Sequence, residues 1–502
     1  MTLGARWAAG GAVVACLLGL LAPERQPLQA QTGDGGTIPD TVTGAGWSPA
    51  RRIPDTVDRI GTPLLLADRD RTVYALVSED VGNGKQIFIR KWRLDEGWTA
   101  AVDVSPPAVN AQICGAFLGA DGTLHLAYYA LAPGRGPEIF YSQANAQVAD
   151  RAAAWSPPES VGSGVIEPFC TLQGDDHGHL VIVSNSNAYG NSLVAVSSPD
   201  GGRTWTPPES RFTAESLDTY PGPVRGTVDD RGNVHLVWSV WRPPTGGEAV
   251  YYAQLDAATR TWREPLLLLS KQQTGTNTDW PSVTFYDDEL LVFIQADMGK
   301  LAQHMVRSID AGQTWTAPER AFPGVYGGHG HAVSMVDGAG TLHAVLCNRT
   351  EDTLMHGSWH SLWRNGTWTP VESVVTGPKS PLFDPTLPEA VVVQGNLLFM
   401  AWHMDGAPGA FYAYKVLDGV PELPITPVPP PATVPPLETP EAMPTPDPTA
   451  VSTALPPETE VPRSVIEAPM TAPPSPMIAV LVGTVAAAIA IGVFLLVRPT
   501  SG

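Results

Sequence analysis

Ser198-Pro199-Asp200-Gly201-Gly202-Arg203-Thr204-Trp205 and Ser308-Ile309-Asp310-Ala311-Gly312-Gln313-Thr314-Trp315 share one pattern, Ser-x-Asp-x-Gly-x-Thr-Trp. Its chemistry is that of a turn. Asp accepts backbone N–H groups, Gly permits a positive φ, and Trp packs between neighbouring sheets. Ser198, Asp200, Gly202, Trp205, Ser308, Asp310, Gly312 and Trp315 therefore read as structural, and looser copies end at Trp262 and Trp368. Working outward, the Trp closes a larger unit: an apolar strand, an Asp/Gly turn, a second strand, a third strand, then the Trp turn. The turns fall at Asp70, Asp121, Asp176, Asp230, Asp287, Asp337 and Gln394, and apolar stretches follow at 73–77, 124–129, 180–184, 234–238, 290–294, 342–346 and 397–402. Short apolar runs bounded by turn residues are strands.

Six of the Trp closures follow their own unit, at Trp98, Trp155, Trp205, Trp262, Trp315 and Trp368. The last unit has none after it, whereas Gly46-Trp47-Ser48-Pro49 stands ahead of the first. A ring whose last sheet is completed by the N-terminal segment accounts for this permutation; an open solenoid does not. The expected fold class is all-β, a β-propeller of seven four-stranded blades over residues 46–419, with six blades as the alternative. Composition agrees: Gly (49) and Pro (50) are abundant and only 16% of residues are charged, which suits turns and short strands rather than helical bundles.

The ends carry addresses. Residues 1–30 read as an export signal, with Arg6, an apolar run through Leu21 and Leu28-Gln29-Ala30 before a polar start. Val13-Val14-Ala15-Cys16 resembles a lipobox, but the apolar run continues past Cys16. Residues 31–45 form a linker. After the propeller, residues 421–476 hold 19 Pro among 56 and cannot bury a core, so they read as an extended stalk. Residues 477–497 contain no charge and are long enough to span a bilayer as a helix, with a cytoplasmic tail at 498–502. The expected location is the cell membrane, single-pass, with the N-terminal body outside. The net charge of −20 argues against nucleic acid as a partner. No cofactor and no metal are expected, and a monomer is.

The paired Ser-x-Asp-x-Gly-x-Thr-Trp turns, or Asp boxes, make the chain resemble the sialidase (neuraminidase) superfamily of repeat propellers, and the resemblance covers most of 46–419. It implies a sugar carboxylate clamped by three Arg, an Asp acid/base, and a Tyr nucleophile assisted by Glu. The place of the first Arg reads Asp58-Arg59-Ile60-Gly61-Thr62-Pro63, and that of the Asp offers Glu79 and Asp80. Arg51-Arg52-Ile53-Pro54 is closer by letters but follows a Trp turn and belongs to an outer strand. No second and third Arg stand in matching places; Arg225 lies deeper on an inner strand.

Position within the repeat offers a separate filter. His125, His179, His235 and His343 recur at one strand position and read as structural. The starts of the inner strands ring one mouth of the channel and differ from unit to unit: Arg59, Gln112, Glu167, Tyr220, Asp279 with Trp280, His329 with His331, and Asp384 or Glu389. Carboxylates there suit acid/base work and aromatic rings suit sugar stacking. Glu167, Tyr220 and Asp279 are the catalytic candidates; Arg59, Gln112, Arg225, Trp280, His329 and His331 are the ligand-binding ones. His329 and His331 alternate and so should face one side of their strand. Cys114 and Cys170 hold equivalent inner-strand positions, which leaves open whether they are bridged, and Cys347 is then a buried thiol. The expected function is recognition of a glycan or surface protein at the channel mouth; the alternative is an exo-acting glycoside hydrolase of sialidase type.

Overall fold

Short apolar strands pair antiparallel with their chain neighbours throughout the computed structural model, which describes residues 38, 40–57, 61–82, 84–105, 110–350 and 355–430. The chain divides into compact units 1–433 and 434–502, and the described residues all belong to the first. They form seven antiparallel sheets. In chain order the inner strands are Leu64–Ala67, Gln112–Leu118, Cys170–Gly174, Tyr220–Val228, Thr278–Tyr286, Val333–Val336 and Pro385–Val393. Successive inner strands are neighbours and the last lies beside the first, so the sheets make a β-propeller. The core sits between the sheets. Across the closure, Trp92 of the first sheet packs on Phe399 of the last at 4.8 Å between ring centroids, within a cluster holding Leu65, Val73 and Ala401.

Arg51–Arg52 is the outer strand of the last sheet, against Ala410–Val416, and buried Ile53 follows it. The N-terminal segment reaches further than the sequence suggested. Val42–Thr43, inside the expected linker, adds an edge strand to the sixth sheet by pairing with Glu372–Pro378.

The Trp turns are built by the hydrogen bonds their residue types allow. Ser198 Oγ accepts from Gly202 N at 2.8 Å, and Asp200 Oδ1 accepts from Thr204 N at 2.9 Å. Asp310 and Ser308 repeat the arrangement. Bonds from Thr204 hold the Asp200 carboxyl down at about 2, and those from Thr314 do the same for Asp310. Trp205 packs edge-on against Tyr141 of the preceding sheet at 4.9 Å, and Trp315 against Tyr252 at 5.0 Å. Both indoles are half-buried rather than fully enclosed.

In the first, third, fourth and sixth sheets the inner strand leads to an Asp turn braced in a recurring way, one carboxylate oxygen accepting two backbone N–H groups. Asp229 Oδ1 accepts from Arg231 N and Asn233 N while Oδ2 meets His235 Nε2 at 3.1 Å; Asp337 does the same for Ala339, Thr341 and His343. His179 pairs with Asp175, and His125 with Tyr141, so these four histidines hold turns and strands together.

Residues 421–430, which composition assigns to the stalk, instead lie along these turns. Leu423 N donates to Gln394 O, Thr426 N to Arg69 O, and Val428 is buried in the core between the first two sheets. Extended Pro-rich chain lacks many donors and so suits a one-sided contact with turn carbonyls and side chains. Among the described residues no helix is long and apolar enough to cross a membrane. The expected signal (1–30), the rest of the stalk (431–476) and the expected span (477–497) lie outside the described residues.

Candidate functional site

Four inner strands do not start as regular strands. Their register shifts between Ile113 and Gly115, Pro221 and Val224, Asp279 and Ser282, and Thr386 and Glu389. Proline has no N–H to donate to a ladder, and Pro223, Pro281 and Pro388 sit in three of these bulges. Cys114, Pro223, Trp280 and Leu387, which the bulges extrude, all line one cavity of about 300 Å³ at the mouth. Trp280 and Leu387 have φ of +46° and +47°, a region that side chains with a Cβ seldom occupy. Backbone strain of this kind clusters where a side chain must be aimed.

The cavity wall divides into an aromatic side and a polar side. Phe169 and Trp280 line it, and Trp241 lies behind them, 5.1 Å from Phe169 and 5.8 Å from Trp280. Gln112 faces in with its Oε1 taken by Lys85 Nζ at 2.9 Å, which leaves the amide NH2 to donate. His403 also lines the cavity; its buried Nδ1 has no partner, and burial pushes its pKa down to about 4, so the ring is neutral. Cys114 and Cys170 are joined by a disulfide, with Cα atoms 4.9 Å apart, which ties the second and third inner strands together at the rim. Cys347 is a buried free thiol, pushed up to about 12 by burial.

Beneath this wall lies a charged cluster. Arg225 Nη1 donates to Glu389 Oε1 at 2.7 Å, Arg225 Nη2 stands 2.9 Å from His331 Nε2, and His331 Nε2 is 3.3 Å from Glu389. Burial alone would raise the Glu389 carboxyl, but the Arg225 guanidinium, with His331 beside it, outweighs it and holds it at about 2. Arg225 and Glu389 also border a second channel cavity of about 320 Å³, with His331, Ser282 and Ser334.

The expected site residues are thus only partly brought together. Gln112, Arg225 and Trp280 line the mouth cavity, and Tyr220 lies within electrostatic reach of both Glu167 and Asp279. Arg59 falls outside the described residues. Asp279 is not on a solvated rim: it is 2% exposed, with Oδ1 accepting from Trp241 Nε1 at 2.6 Å and Trp280 N at 2.7 Å, and burial raises its pKa. Burial first, then Glu167 and Asp279, raise the Tyr220 pKa, the wrong direction for a nucleophile. Glu79 is buried against Arg90 at 2.6 Å and serves the core. His329 and His331 do not share a side. They precede Val333–Val336 in irregular chain, with Gly330 between them at φ +94°, and His331 is buried in the Arg225 cluster. His329 instead meets His356 and Asp384. Phe169, Trp241 and His403 were not anticipated; for Phe169 the signal available was Pro168, beside Glu167.

No protein-family model matches the chain, and no curated protein does. Solved structures share the fold. A lectin from Burkholderia pseudomallei aligns at 12% identity over 74% of this chain and 99% of its own, with a TM-score of 0.51. A PL25 polysaccharide lyase, an ulvan lyase bound to -[GlcA(1-4)Rha3S]-, aligns at 13% identity over 74% and 97%, with a TM-score of 0.50. A sialidase from Streptococcus pneumoniae aligns at 11% identity over 77% and 71%, with a TM-score of 0.42. At these identities the likeness is one of fold.

Proposed function

We propose that this chain is a surface-displayed propeller of seven blades, one per sheet, that binds a saccharide at the mouth cavity without cleaving it. The observation that carries the reading is the strained Trp280, extruded by its bulge into a cavity that pairs an aromatic wall with Gln112 and His403. Sugar recognition needs this pairing: apolar ring faces stack on aromatic side chains while hydroxyls meet fixed polar groups. Propellers of this shape include a lectin and a lyase bound to a saccharide. Arg225 is the only Arg or Lys among the described residues lining the cavity, and it is committed to Glu389, so the site favours a neutral saccharide over an acidic one. The raised pKa of Tyr220 and the enclosed Asp279 speak against the hydrolase alternative. Export, the stalk at 431–476 and the span at 477–497 would present this body, as a monomer, outside the cell membrane.

The test is titration of the protein against neutral oligosaccharides and sialosides, with fluorogenic glycosides alongside. Trp280→Ala should remove saccharide binding while the thermal midpoint stays within a few degrees. Unchanged binding in that variant refutes the site. Turnover of a sialoside that vanishes in Tyr220→Phe would establish the hydrolase instead.

A further inference from the structure

On the same face of the ring, but outside the mouth cavity, three ligating side chains from two sheets converge. His329 lies in the chain leading to Val333–Val336, His356 is the second residue of Met355–Arg364, and Asp384 immediately precedes Pro385–Val393 of the next sheet. Their ligand atoms all lie within 4.8 Å of one another. His356 Nδ1 is 2.5 Å from Asp384 Oδ1, His329 Nδ1 is 3.9 Å from the same oxygen, and the two imidazoles meet edge-on at 5.1 Å. His356 and Asp384 are buried, and solvent reaches the cluster from the His329 side.

We propose that His329, His356 and Asp384 form a binding site for one divalent transition-metal ion, zinc in the first instance, that staples the sixth sheet to the seventh. Two imidazoles and one carboxylate are borderline ligands suited to zinc, and three protein ligands leave a fourth position open. In a tetrahedral site with Zn–N and Zn–O bonds of about 2.0–2.1 Å, neighbouring ligand atoms stand about 3.3 Å apart. The two measured separations bracket that value. Without metal, the hydrogen bond between His356 Nδ1 and Asp384 Oδ1 draws them closer than a metal would. On binding, the ion would take the place of the Nδ1 proton, which passes through solvent to His356 Nε2, and the carboxylate would move back toward His329.

The surroundings supply the outer partners such a site requires. Lys379 Nζ holds the other carboxylate oxygen, Asp384 Oδ2, at 2.9 Å, which leaves Oδ1 as the single ligating atom. A histidine bound through Nδ1 must carry its proton on Nε2 and donate it. His329 presents Nε2 toward Gly327: a Cβ there would lie 3.1 Å from Nε2 and 3.1 Å from Asn348 Oδ1. Asn348 is 2% exposed, and neither atom of its amide has a partner. Buried amides are seldom left so. The two are not bonded in this structure, but both border the same space over Gly327. Turning the amide or the ring toward the other would let the Asn348 carbonyl receive the Nε2 proton once Nδ1 is committed to the ion. Gly327, at φ +109°, keeps the space between them open.

The experiment is calorimetric titration of the chelator-stripped protein with ZnCl2, with Co2+ absorption reporting coordination geometry. Uptake of one ion per chain and a tetrahedral cobalt spectrum are expected. His329→Gln, at the ligand nearest solvent, should weaken zinc by more than about 100-fold, and Asn348→Leu by about 10–100-fold as an outer partner. A merely structural Asn348 would move the thermal midpoint without moving zinc affinity in the still-folded protein. The proposal is overturned if the wild-type protein takes up neither ion, or if His329→Gln binds zinc as tightly as wild type. None of these readouts depends on saccharide binding.

Discussion

Adjacent glycines in the first Trp turn separate two costs that are usually confounded. Gly201 and Gly202 both have positive φ, +71° and +85°. A Cβ on Gly201 would meet nothing within 4 Å, and the second turn already carries Ala311 at the equivalent place with φ +56°. Gly201→Ala should therefore cost only the left-handed backbone penalty, about 1–2 kcal/mol. A Cβ on Gly202 would lie 2.0 Å from Tyr141 Oη. That hydroxyl cannot simply swing aside, because it stands 2.6 Å from buried His125 Nδ1 and donates to Gln143 at 2.9 Å. Overpacking adds about 1–3 kcal/mol, and displacing Tyr141 from His125 adds about 1 kcal/mol more. Gly202→Ala should thus lose about 3–6 kcal/mol, at least 2 kcal/mol more than its neighbour. Urea unfolding of both variants, with slopes compared to confirm two-state behaviour, measures the difference. Equal losses within about 0.5 kcal/mol would show that the turn relaxes around the new methyl, and that Tyr141 does not clamp it.

Acid should destabilise this fold earlier than carboxylates alone would. Burial pushes His125 and His403 down to about 4 and His360 to about 3. Each then binds fewer protons folded than unfolded, so its contribution is complete above about 6.5 and is lost as pH falls toward the folded value, about 2 kcal/mol per group by pH 5. Urea midpoints should drop clearly between pH 7 and pH 5; a flat profile down to pH 5 would contradict neutral burial. Replacing both Cys114 and Cys170 by Ser opens a loop of 56 residues in sequence separation, for which loss of the chain constraint predicts about 4 kcal/mol. A urea-derived loss under 1 kcal/mol would mean the rim holds that geometry without the bridge.

The ring was legible in the sequence because its determinants are local and repeated. An Asp turn, a strand His or a Trp closure uses partners a few residues away, as Asp229 with Asn233 or Asp200 with Thr204. The displaced Trp47 and the outer strand at Arg51–Arg52 were legible for the same reason, as one missing member of a series. The mouth was not. Alternation places His329 and His331 on one side only if a regular strand begins there, and Asp279 shares the rim with Trp280 only if theirs does, but Gly330 and a bulge break the period at those points. Proline inside an apolar run, at Pro223, Pro281 and Pro388, was the signal that the ladder is interrupted. The meeting of His356 with Asp384, or of Phe169 with Trp241, depends on how one sheet packs on the next, which no local pattern encodes.

The two faces of the ring divide the work, and the C-terminal segment shows how. Inner strands start at the mouth and end at the Asp turns, so residues 421–430, lying against those turns, occupy the face opposite the cavity. The segment crosses the closure: Leu423 bonds to Gln394 of the last sheet, Glu422 pairs with Arg71 of the first, and Asn145 Nδ2 donates to Pro429 O from the second at 2.8 Å. A ring closed at one seam is weakest there, because the strands on either side belong to opposite ends of the chain. The N-terminal strand at Arg51–Arg52 seals the seam within the last sheet, and this strap seals it across three. Opening the seam would have to break the strap's bonds to Gln394 or to Arg69, while Val428, buried between the first two sheets, anchors its far end. The described chain thus ends, at residue 430, on the turn face, opposite Trp280 and the cavity behind it.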